Sequence, residues 1–268
     1  MLEVTVCIAA RAEHYLYGVT DRMLTAGDVQ FEPTAAPKAL AVSNSIFLMT
    51  AGDSGLQGQI LTLVLKEVSE RIQSNPAEWR LLRDVADLYI KYYNQIRKKR
   101  AEDAVLAPLY LDNNTFIANQ NLMNDRLLND TAKELLNFRM PSVSVICAGH
   151  DPIGPHIYLV TEGDANSLEA NCLDGVGFAA IGSGGRHAPS QFMFARHAWN
   201  APMAETLFWP TTPRRNRKRH PASGKGTDII VSGPTVATVV QLSPDALQRL
   251  ESEYQRVIRA ESEAIFEG

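Results

Sequence analysis

The chain predicts an α+β fold from three observations: apolar, β-prone runs near its start, two long runs of helical periodicity after them, and a return of strand-like runs in the second half. With 268 residues and 45% apolar content it can bury one sizeable core, and residues 1–268 are read as a single domain. A net charge of −4 leaves no overall nucleic-acid footprint, and no run approaches the ~18 apolar residues that a membrane helix needs. Cys7, Cys147 and Cys172 are odd in number and far apart, which fits reduced thiols better than a disulfide framework. The start also lacks a basic segment followed by a long apolar one, so the expected compartment is the cytoplasm.

Val4 to Ala10 and Tyr15 to Thr20 predict a hairpin with Arg11 to His14 as its loop. Lys38 to Val42 and Ser45 to Thr50 predict a second pair around Ser43-Asn44. Ser54 is placed as the cap of a helix in which Leu56, Ile60, Leu63, Val64, Val68 and Ile72 recur at helical spacing, and Asn75-Pro76 stops it. A second helix is expected from Leu81 to Arg100, with Val85, Leu88, Tyr89, Tyr92 and Ile96 on one face. Residues 101–139 break the pattern and read as an insertion with a short helix from Asp130 to Leu136. Strands resume at Ser142 to Ala148 and Ile157 to Thr161, around the turn sequence Gly149 to Pro155. Phe178 to Ile181, a helix from Pro189 to Trp199, strands at Ile229 to Val231 and Thr235 to Leu242, and a helix from Pro244 complete the order.

Several residues invite chemistry, although each has an ordinary alternative. Thr5 lies in a strand-prone run, where threonine is common. Asp21 beside Arg22 can be a turn or surface pair, and Lys38 a solvated lysine. Gly182-Ser-Gly-Gly185 lacks the lysine of a phosphate-binding loop and is satisfied by a tight turn before a helix. The six histidines form no HExxH or closely paired motif, so no metal and no cofactor are expected. Cys7 reads as a small buried hydrophobe.

Taken together, Thr5, Asp21 sixteen residues later, Lys38, Ala51-Gly52, Gly149-His-Asp-Pro-Ile-Gly-Pro155, Gly182-Ser-Gly-Gly185 and Ser223-Gly-Lys-Gly-Thr-Asp228 resemble the proteasome β-type family of N-terminal-nucleophile hydrolases, especially its bacterial Anbu-like homologues. That resemblance covers most of the chain. It implies a four-layer αββα sandwich, Thr5 as nucleophile, Asp21 and Lys38 as a charged pair beside it, the Gly52 backbone N–H as an oxyanion donor, and Ser183 near the threonine amine. It also implies a peptide or amide substrate and a homo-oligomer, either ring or spiral. His220 stands where the family commonly carries an aspartate, whereas Ser223 and Gly224 match.

The chemistry depends on a free amine, because an N-terminal threonine uses its own α-amino group to take the hydroxyl proton. An amide nitrogen cannot do so. Four residues, Met1 to Val4, precede Thr5, so activity requires cleavage of the Val4–Thr5 bond. Without it, the alternative is a catalytically inactive structural or binding subunit of the same fold. A third is an amidase or transpeptidase acting on one defined substrate. The basic, proline-rich loop at 209–222, with Arg214-Arg-Asn-Arg-Lys-Arg219, reads as a solvated loop or an assembly contact. It holds no interleaved aromatic platform, so no nucleic-acid partner is expected, and no membrane partner either.

Overall fold

Alternation of small and branched apolar residues gives the first hairpin, strands β1 (Cys7–Ala12) and β2 (Tyr15–Asp21), in the computed structural model of the protein. The structure describes residues 6–22, 24–26, 29–31, 38–76, 78, 81–164, 167–183, 185, 188–194, 197–201, 227–235, 238–250, 252, 253 and 256. Glu13 and His14 alone form the hairpin loop, tighter than the Arg11 to His14 loop expected, with Glu13 at a left-handed φ of 52°. The short strands β3 (Leu24–Ala26) and β4 (Val29–Phe31) pair with each other, without any signal read beforehand.

β5 (Ala39–Ala41) and β6 (Ile46–Gly52) form the second hairpin, and helix α1 (Ser54–Ser74) follows. Asp53, not Ser54, caps this helix: its carboxylate accepts the Leu56 N–H at 2.7 Å, which leaves Ser54 as the first helical residue. Helix α2 (Leu82–Ala101) buries Val85, Leu88 and Tyr89 as expected, Tyr92 and Ile96 pack half-buried against the same core, and Tyr93 is buried as well. Tyr92 also donates its hydroxyl proton to Glu67 of α1, which receives Lys91 at 2.7 Å and pairs with Arg71. These partners, Lys91 first, hold the Glu67 carboxyl down at about 2.

Residues 101–139 form a helical excursion. A π-helical turn at Glu102–Leu106 and 3-10 turns at Ala107–Leu109 and Gln120–Leu122 accompany α3 (Asn113–Ala118) and α4 (Asp125–Asn137). α4 starts five residues before the expected Asp130, because Asn124 caps it by accepting the Arg126 N–H.

Strands β7 (Val143–Asp151) and β8 (Gly154–Glu162) run through most of the segment expected to be a turn. Only Pro152 and Ile153 remain between them, since the Asp151 carboxylate accepts the Ile153 and Gly154 N–H groups and closes a two-residue loop. β9 (Leu168–Cys172) is a further strand, β10 (Phe178–Ile181) lies where expected, and α5 (Ala188–Phe194) is shorter than the predicted helix. β11 (Thr227–Ser232) pairs with β12 (Val240–Gln241), and residues 244–250 are helical.

Two antiparallel five-stranded sheets result, ordered β10-β1-β2-β11-β12 and β5-β6-β7-β8-β9. Because side chains alternate across a strand, each central strand serves two cores. Phe47, Met49, Ile146, Ala148 and Ile157 of the second sheet meet Cys7, Ala9, Leu16, Ala179, Ile181 and Ile230 of the first. From the opposite face of the second sheet, Ile46, Leu48, Val145 and Cys147 meet Leu56, Ile60 and Val64 of α1 and Val85 and Tyr89 of α2. On the other face of the first sheet, Ile8 and Ala10 pack with Ala188 and Phe192 of α5. The sheets approach closely at Gly18, where a Cβ would lie 2.7 Å from Phe47 and 2.8 Å from Met49 of the second sheet, and 2.6 Å from Ile230 on the neighbouring strand. The fold is thus α+β with two packed antiparallel sheets. Among the described residues no helix is long and apolar enough to cross a membrane.

Candidate functional site

The ends of β2, β5 and β6 meet beside the start of β1. Asp21 closes β2, and its backbone N–H donates to the Val6 carbonyl at 3.2 Å while its Oδ1 accepts the Val6 N–H at 2.9 Å. One residue therefore holds both backbone polar groups of Val6, the residue that follows Thr5 in the sequence. Thr5 itself lies outside the described residues.

Lys38 immediately precedes β5, and its Nζ donates to the same Asp21 Oδ1 at 3.1 Å. The pair is withdrawn from water, with side chains 5% and 1% exposed, so salt screens their attraction little. Lys38 is held from its backbone as well, since its carbonyl accepts the Thr50 N–H at 3.1 Å. Thr50 in turn offers its carbonyl to the Cys7 thiol at 3.4 Å, which ties β1 across to β6. The two residues, seventeen apart in sequence, come from different sheets, and the packing of those sheets against each other brings the end of β2 to the start of β5.

Gly52 ends β6 at that rim, exposed, with φ at 108°. A Cβ there would lie 2.2 Å from the Ser142 carbonyl oxygen, so the position requires glycine on both conformational and steric grounds. α1 begins two residues later and turns its positive N-terminal end toward this part of the molecule. Ser183 lies two residues past Ile181, which pairs with Cys7 in the β1–β10 ladder, and is half-buried. The structure thus gathers Asp21 and Lys38 into direct contact and sets Gly52 on the strand that Lys38 adjoins. His220, Ser223 and Gly224 lie outside the described residues, as does the basic loop at 209–222.

One partner was missed in the sequence. Asp228 at the start of β11 receives Arg22, the residue after Asp21, through Nε at 3.1 Å to each oxygen and Nη2 at 2.6 Å. Gln241 of β12 also donates to Asp228 at 3.3 Å. This planar fork fastens the end of β2 to β11. Asp228 closes the Ser223 to Asp228 stretch, but the sequence sets Arg22 only beside its neighbour Asp21, as one half of a turn or surface pair. Between these pairs Thr20 is buried opposite both Cys7 and Asp228, and its hydroxyl has no hydrogen-bond partner among the described residues.

Elsewhere, His150 Nε2 faces the His14 carbonyl at 2.8 Å and its Nδ1 faces Ser232 Oγ at 2.9 Å. A carbonyl can only accept, so Nε2 carries the proton and Nδ1 accepts from the serine. Burial pushes the His150 pKa below its ordinary value, and the Arg11 charge adds to this. His156 lies between Asp174 at 2.5 Å and Asp151 at 3.3 Å. No group of three or more His, Cys, Asp or Glu side chains among the described residues could hold a metal ion. Cys7 and Cys147 are buried and Cys172 exposed. No family model matches the chain, and no curated protein matches its sequence.

Proposed function

We propose that the chain is a proteasome-type threonine hydrolase, cleaving peptide or amide bonds through an acyl-enzyme on Thr5 once residues 1–4 are removed. The observation that carries this is the buried Lys38–Asp21 pair, whose carboxylate also binds the backbone of the residue next to Thr5. Two packed antiparallel sheets, with α1 and α2 on one outer face and α5 on the other, support assignment to the four-layer sandwich of N-terminal-nucleophile hydrolases.

In this mechanism the free α-amine of Thr5 takes the hydroxyl proton as Oγ attacks the substrate carbonyl. Lys38 favours the developing alkoxide by its charge, and Asp21 fixes the ammonium in place. The Gly52 N–H receives the tetrahedral oxyanion, a type of donor whose removal typically costs ~3 kcal/mol of barrier. The leaving amine departs with the proton, and water releases the acyl group from the threonine ester. Ser183 supports the amine, and the chain works as a homo-oligomer in the cytoplasm.

A second reading rests on Met1 to Val4 and on His220, which stands where the resembled family commonly has an aspartate. Under it the chain is an inactive structural or binding subunit. Intact mass and N-terminal sequencing of protein untagged at that end, followed by labelling with a threonine-directed β-lactone, separate the two. A chain that starts at Thr5, is labelled, and loses the label in Thr5→Ala supports the hydrolase. A chain retaining Leu2-Glu3-Val4 and taking no label supports the inactive subunit.

A further inference from the structure

The fork between Arg22 and Asp228 is a costly way to hold two strands together. Asp228 is only 3% exposed, so a carboxylate is withdrawn from water there, whereas an apolar pair of similar volume commonly holds strands as well or better. Its aim is also specific. Thr20 stands directly opposite Asp228 in the β2–β11 ladder, within the reach of a cross-strand pair, yet its hydroxyl has no hydrogen-bond partner among the described residues. The Asp228 carboxylate instead accepts Nε and Nη2 of Arg22, the residue just past the end of β2, together with Gln241 of β12.

Between these contacts lies Asp21. It is the last residue of β2, paired with Thr227 of β11 on one side and bound to Val6 on the other, and the fork fixes the residue that follows it. Strand ends open readily unless they are tied, and the Asp21 carboxylate has to meet Lys38, which adjoins β5 of the other sheet, at 3.1 Å. A guanidinium that grips one carboxylate through two nitrogens has little freedom to turn, so Arg22 passes the position of β11 to the backbone beside Asp21. We infer that Asp228 is a positioning residue for the Lys38–Asp21 pair and acts on it through Arg22. Loss of the fork releases the end of β2, and with it the register between Asp21 and Lys38. The coupling follows from these contacts alone, whereas its effect on catalysis rests on the hydrolase proposed above, in which Lys38 serves the alkoxide only while Asp21 holds it in place.

A double-mutant cycle on the full chain reads the coupling by chemical denaturation, with Asp228→Asn, Lys38→Met and the two combined. Part of what Lys38→Met removes should already be lost in Asp228→Asn, so the rise in the unfolding equilibrium constant of the double variant should fall short of the product of the two single effects by about fivefold or more. Arg22→Lys keeps the charge but not the fork, and it takes the place of Asp228→Asn in a second cycle, where it should couple as well. Effects that multiply independently in both cycles would leave the fork a strand staple and overturn the inference. In chains that begin at Thr5, labelling by a threonine-directed β-lactone gives the catalytic readout. Asp228→Asn should lower the maximal labelling rate by about tenfold and leave the half-saturating concentration unchanged, because it displaces reacting groups rather than the surface that binds the probe. An unchanged labelling rate beside a coupled cycle would overturn the catalytic role. Wild-type chains that begin at Thr5 yet take no label would sink the hydrolase, while the two cycles still decide whether Asp228 positions the pair.

Discussion

Lys38 and Asp21 show how much one buried pair asks of its surroundings. Two charges out of water are tolerated because each has the other and because Asp21 also accepts from the backbone of Val6. Lys38→Met removes one charge and leaves the other buried, so it should cost about 3–5 kcal/mol of stability. Chemical denaturation checks this, and Asp21→Asn combined with Lys38→Met should cost less than Lys38→Met alone. A loss below about 1 kcal/mol in Lys38→Met would be the size of an exposed pair and would contradict its burial. At this scale the sequence was least legible. Nothing in an isolated Asp21 or Lys38 marks it for burial, and only the constellation did so, through resemblance. Arg22 and Asp228 escaped because their partnership spans 206 residues, and only the β2–β11 ladder brings them together. Gly52 was legible as the end of a strand, but not that a Cβ there would collide with the Ser142 carbonyl, which lies just before β7.

Elements were read more faithfully than residues because periodicity is a local property. α1, α2, the first two hairpins and β10 follow from spacing that any window of the chain displays. The errors fall at ends and in short pieces. Asp53 displaced Ser54 as a cap because both are good caps and only geometry chooses between adjacent ones. β3, β4 and β9 were missed because runs of three to five residues carry little period-2 signal. Gly18 in the middle of β2 is the element-scale test. It allows Ile230, Phe47 and Met49 to fill the space between the sheets, and a methyl group would meet all three at under 3 Å. Gly18→Ala should therefore cost about 1–3 kcal/mol through overpacking, despite alanine's better strand entropy. Equilibrium unfolding measures it, and an unchanged or raised midpoint would mean that the sheets separate more readily than their packing indicates.

The molecule as a whole is held between two sheets, and His150 is one of the ties, joining β7 of one sheet to Ser232 and the His14 turn of the other. Its folded pKa is lowered, first by burial, while an unfolded histidine titrates near ~6.5. Below about 6.5 the unfolded chain binds a proton that the folded chain resists, so the histidine leaves stability undiminished above that pH and subtracts from it as the pH falls. His197, also held down by burial, acts in the same direction. Unfolding free energies at neutral and mildly acidic pH should decline toward acid, by at most ~1.4 kcal/mol per pH unit for each such group. His150→Gln should flatten the slope, and an unaltered slope would remove His150 as a cause.

The double grip of Asp21 on Val6 bears on how the chain could be matured. Both hydrogen bonds lie downstream of the Val4–Thr5 bond, so cutting that bond leaves them in place. Under the proposed hydrolase, both bonds anchor the side of the cut that is kept, so at Val6 maturation would change a functional group without removing either hydrogen bond.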